Sequence, residues 1–106
     1  MLEDLSMRDN STLRKYSVKL AIVNVNETED PNFVQDLTEE IAMRPHLQLI
    51  AISQDVSSHR LIVDLSLESL NQELAAKQIT EELFEITNAI LTYIKSVRID
   101  VLSVTN

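Results

Sequence analysis

The alternation of apolar and polar positions divides the chain into six elements. Tyr16 to Asn26 predicts a strand: Tyr16, Val18, Leu20 and Ile22 alternate with Ser17 and Lys19, and from Ala21 to Val25 both faces turn apolar except at Asn24. Asp30-Pro31 follows a polar loop, with an N-cap residue set just before a proline at the first helical position. The helix it opens runs to about Met43 on a stripe of Phe33, Leu37 and Ile41, with Val34 beside them. Arg44-Pro45 ends it, because a residue before proline avoids the helical region. Leu47 to Gln54 is a second strand, apolar on both faces. Residues 55–59 turn the chain, and Arg60 to Glu68 is the clearest strand, with Leu61, Val63, Leu65 and Leu67 on one side.

The longest periodic stretch is Asn71 to Ile94. Ser69 and Gln72 have the spacing of a capping box, with Leu70 able to pack on the first turn. Ala76, Ile79, Leu83, Ile86, Ile90 and Ile94 recur at three- and four-residue steps. Phe84 and Leu91 form a second apolar row. Such a helix is roughly 35 Å long, against about 17–20 Å for a typical strand, so it should overhang its sheet. Residues 97–104 close the chain as a fourth strand, with Leu102 and Val104 expected on the outer face.

The order is βαββαβ. Right-handed crossovers and a central hairpin turn it into an α+β fold of ferredoxin-like plait type, a four-stranded antiparallel sheet with two helices on one face and a long second helix. The expected organisation is an N-terminal arm over 1–15 and a single ferredoxin-like α+β domain over 16–106, an ordinary domain length.

Composition narrows the function. The chain contains no cysteine, which excludes disulfides, thiolate metal sites and cysteine nucleophiles. It starts without a signal-peptide pattern and has no run near the ~20 apolar residues of a membrane span, so a cytoplasmic protein with no membrane partner is expected. Net charge is −8, and residues 27–45 hold six acids against Arg44 alone. Without a basic footprint, nucleic acid is not an expected partner. The absence of glycine removes phosphate-cradling loops and leaves the turns to Asn, Asp, Ser and Pro.

Candidate chemistry is thin. His46 and His59 should lie about 25 Å apart, at opposite ends of a hairpin, and so cannot share a metal. His46 is expected to face Glu68 across the strands. The loop bearing Asn24, Asn26, Glu27, Glu29, Asp30 and Asn32 is rich in oxygen, but it lacks EF-hand spacing, and its acids also suit a helix N-terminus. No catalytic, cofactor-binding or metal-ligating residue is assigned, and the reading leans away from an enzyme.

The apolar excess on the sheet and on the long helix is the stronger signal. Val23, Ile62, Phe84, Leu91, Leu102 and Val104 are the expected interface residues. The leading expectation is a small non-enzymatic binding or assembly module that acts as a homo-oligomer, a homodimer or a dimer of dimers. The strand order also resembles that of the ACT regulatory domains, with Asp30-Pro31 where their first loop enters the first helix. The glycine that this loop normally carries is missing. The resemblance implies an alternative, a domain sensing an unidentified small-molecule ligand.

Overall fold

The computed structural model describes residues 12–23, 31–90 and 98–106. The elements are β1 (Arg14–Val23), α1 (Pro31–Ala42), β2 (Gln48–Asp55), β3 (Arg60–Ser69), α2 (Gln72–Ile90) and β4 (Arg98–Thr105). A single 3₁₀ turn, Val56–Ser58, joins β2 to β3. The strands form one antiparallel sheet in the order β2-β3-β1-β4, which is β4-β1-β3-β2 from the opposite edge. The architecture is α+β, with the element order expected from the hydrophobic pattern.

The central pair sets the inner face. Tyr16 stands opposite Leu67, Val18 opposite Leu65, Leu20 opposite Val63 and Ile22 opposite Leu61. All eight side chains are buried and belong to one core cluster. Phe33, Leu37 and Ile41 of α1 enter the same cluster, as do Ala75, Ile79, Leu83 and Ile86 of α2. Both helices therefore cover the same face of the sheet, as βαβ crossovers of one hand require.

Several local expectations need correction. The cap of α2 is Asn71, whose Oδ1 accepts a hydrogen bond of 2.9 Å from the Leu74 N–H. Ser69 is the last residue of β3 and is not the cap. An amide at Ncap bonding the third helical N–H does the same work as a serine, and the strand simply runs further than the pattern suggested. The buried stripe takes in Ala75, with Ala76 only half-buried. The α2 tail beyond Ile90, the second-row Leu91, the acidic loop at 24–30, residues 24–26 of the first strand and the arm at 1–11 lie outside the described residues.

Both edge strands carry a register shift, between Leu49 and Ala51 on β2 and opposite the Lys19/Leu20 step on β4. A shift of one residue reverses which positions face inward. On β2 it lets Leu49 and Ile52 both pack on the core and leaves Ile50 half exposed. On β4 it lets Ile99 and Val104 both pack on the core. Val104, expected on the outer face, is thus turned inward by the bulge at Leu102.

Candidate functional site

Two places combine exposed or unsatisfied groups with defined geometry. The first is the polar junction where α1 hands the chain to β2. The helix ends at Ala42, and backbone bonds from the Arg44 N–H to the Ile41 carbonyl and from the Leu47 N–H to the Arg44 carbonyl tighten the turn around Pro45. This turn lays Arg44 and His46 against α2. Arg44 Nη1 donates to Glu82 Oε1 at 2.8 Å and lies 3.5 Å from Glu85 Oε1. His46 Nε2 stands 2.7 Å from Glu82 Oε1 and 2.8 Å from Oε2. Gln78, one turn earlier on α2, donates from Nε2 to Glu82 Oε2 at 3.0 Å.

Glu82 is the centre of this group. Burial pushes its carboxyl up, but hydrogen bonds from Gln78, Arg44 and His46 together with the charge of His46 outweigh it and hold the group below its ordinary value. Arg44 is raised above its ordinary value, first by its hydrogen bond to Glu82. An ionised Glu82 only accepts, so Nε2 of His46 donates to it, as do Arg44 and Gln78.

A cavity of about 380 Å³ opens beside His46, with Lys15, Gln48, Ser66, Glu68 and Gln78 in its polar lining. It exists because β2 starts at Gln48, opposite Ser66, while β3 continues to Ser69 beside β1. Ser66 is 2% exposed, and its Oγ has no hydrogen-bond partner among the described residues. A buried hydroxyl left unmatched is costly, and it marks a place where a ligand or ordered water would be welcome. His46 was expected opposite Glu68; both line this cavity, but the imidazole bonds Glu82 instead. Distance along the hairpin could not rank the two carboxylates, because the winning one comes from a helix packed above the turn.

His59 lies in the turn before β3, at a left-handed φ of 54°. There the Asp55 carboxyl is lowered to about 2, first by the Ser58 hydroxyl, then by Ser57 and Arg60. Arg60 Nη2 is 3.3 Å from Asp55 Oδ2. Among the described residues there is no group of three or more His, Asp or Glu able to hold a metal, and no helix long and apolar enough to cross a membrane.

The second place is the β4 edge. Val101 and Leu102 are 41% and 42% exposed at the middle of this edge strand. Phe84 is 45% exposed on α2. Ile62 is half-buried on the outer face. Val23 is buried, between Arg60 and Arg98 in the register, so its side chain is not an exposed surface. Of the expected interface residues, Leu102 and Phe84 are thus exposed, Val23 is buried on the outer face, Val104 is turned onto the core, and Leu91 is not described. Val101, opposite Leu20 in the register, was not singled out by its pattern, because strict alternation would have buried it.

No protein-family model, curated protein or solved structure matches the chain.

Proposed function

We propose that the chain is a ferredoxin-like plait that works as a small non-enzymatic assembly module, cytoplasmic and homodimeric at its simplest. The observation that carries this reading is the β4 edge, which no strand among the described residues covers and where two large apolar side chains, Val101 and Leu102, stand more than two-fifths exposed. A strand edge with unpaired backbone groups and apolar side chains is a template for another strand. Closed two-fold association is the commonest way for a soluble chain to bury such an edge. Phe84 adds a second exposed apolar side chain, on the helix layer.

Light scattering on the purified chain at high micromolar concentration tests this reading. Twice the 12.1 kDa chain mass is expected for the wild type, with a shift toward the single-chain mass for Leu102→Lys. A wild-type monomer at that concentration would remove the proposal.

A second reading, a domain that senses a small molecule, is favoured by the cavity beside His46 and by Ser66 in its lining, whose buried hydroxyl has no partner among the described residues. Its size falls at the small end of ligand pockets, suiting a metabolite rather than a peptide. A thermal-shift screen against small metabolites tests it, since a ligand that binds only the folded state raises the melting temperature.

A further inference from the structure

The bulge on β4 gives this strand a face pattern that reads the same in both directions. Register partners on β1 fix the faces. Ile99 lies opposite Ile22 and Val104 opposite Val18, both on the inner face. Arg98, Asp100, Ser103 and Thr105 lie opposite Val23, Ala21, Lys19 and Ser17, on the outer face. Val101 and Leu102 occupy the middle. Read inward from either end, the order is outer, inner, outer, apolar centre. An unbulged strand of eight residues cannot have this symmetry, since strict alternation puts its first and last residues on opposite faces.

We propose that β4 pairs antiparallel with β4 of a second copy, about a two-fold axis between Val101 and Leu102, to make a continuous eight-stranded sheet. The proposal rests on the assembly reading above and specifies its partner and register. In this register Arg98 meets Thr105 of the second copy, Ile99 meets Val104, Asp100 meets Ser103 and Val101 meets Leu102. Each of the first three pairs joins residues of the same face. Ile99 and Val104, partly buried in one chain, become neighbours across the seam. The inner row then runs unbroken from Leu61 and Ile22 through Ile99 to Val104, Val18 and Leu65 of the second copy.

The registers one step away fail on face, and the one centred on Asp100 fails on charge. A shift of one step in either direction sets Ile99 against Ser103 or Thr105, an inner residue against an outer one. Centring on Asp100 opposes two carboxylates directly, which is unfavourable across strands. In the chosen register each charged residue meets a hydroxyl, and the Arg98–Asp100 pair, with 3.2 Å between Nε and Oδ2, is kept within each chain. The other edge suits this pairing less well. The β2 shift lies near the start of the strand, so centring on Ile50 and Ala51 would run Gln54 and Asp55 past Gln48 onto Leu47 and His46, outside the strand.

The absence of cysteine makes a cross-linking test clean. Asp100→Cys and Ser103→Cys are purified separately, mixed and oxidised. The register places the introduced thiol of the first variant beside that of the second, within disulfide reach. Identical positions lie about 10 Å apart, beyond the ~7 Å limit. The mixture should yield at least about fivefold more linked dimer than either variant alone. If light scattering gives a wild-type dimer but the mixture shows no such excess, the register is overturned and the assembly reading survives. If the wild type is a monomer, both fall. Circular dichroism of each variant, both at exposed or half-exposed positions, checks that the fold is retained.

Discussion

Ile99 and Val104 lie five positions apart on β4, yet both pack against the same core. Ideal alternation would put them on opposite faces. The extra residue between them, at the step where β1 passes from Lys19 to Leu20, reconciles the two. This extra residue is Leu102, unpaired with β1 and exposed beside Val101.

The pair gives the first prediction. Val104→Ala should lower stability by about 1–2 kcal/mol, through lost burial and an unfilled space. Leu102→Lys should change the stability of the single chain by no more than about 0.5 kcal/mol. Urea denaturation at low protein concentration, where association does not contribute, makes the comparison. Equal or reversed losses would show that the bulge is misassigned.

The two bulges also mark the limit of what the sequence carries. The inner faces of β1 and β3 follow strict alternation, so Tyr16 to Ile22 and Leu61 to Leu67 were legible as core. So were Phe33, Leu37, Ile41, Leu83 and Ile86, at helical spacing. On β2 and β4 the runs Leu49-Ile50-Ala51-Ile52 and Val101-Leu102-Ser103-Val104 looked apolar on both faces. That pattern fits a strand buried on both sides as well as an edge strand with a one-residue slip. Nothing local separates the two. The candidate site was less legible still. His46 and Glu82 are 36 residues apart and meet only because α2 packs over the α1–β2 turn.

Glu82 gives the second prediction. Its folded carboxyl lies below the ordinary value, so its contribution is complete above the unfolded pKa of about 4.3 and fades as pH falls through the lower folded value. Glu82→Gln should lower stability at pH 7 by about 1–2 kcal/mol, since Arg44 and His46 lose a charged acceptor. The difference between wild type and variant should shrink below about pH 4. Asp55, lowered to about 2, titrates alike in both proteins and cancels in the comparison. Chemical denaturation from pH 7 to pH 2.5 measures the difference, and a constant gap would rule out this linkage.

The turn into β3 gives a third. A chain without glycine has placed His59 at φ 54°, where a side chain with a Cβ is strained. His59→Gly should raise stability by about 0.5–1 kcal/mol, and His59→Val, β-branched, should lower it by at least about 1 kcal/mol. Thermal unfolding of the three proteins should rank them Gly above His above Val. Any other order would mean that the backbone strain at this turn is not what limits it.

Ser66 gives the last. Ser66 is one of the residues lining the cavity beside His46, at the point where β2 stops and β3 runs on, and its hydroxyl is buried without a partner among the described residues. An unmatched buried hydroxyl opposes folding, so removing it without leaving a large void should help. Ser66→Ala should therefore raise stability by about 0.5–1 kcal/mol in buffer. The neighbouring Ser17, opposite it on β1 and half-buried, serves as the control, and Ser17→Ala should change little. If the hydroxyl serves a small ligand, a metabolite that stabilises the wild type in the thermal-shift screen should stabilise Ser66→Ala less. That result would join a gain in the free protein to a loss in the bound one, the signature of a polar group held in reserve for binding. A loss of stability in the unliganded Ser66→Ala protein would show instead that the hydroxyl is already matched by water, and would take away the observation on which the sensing reading stands.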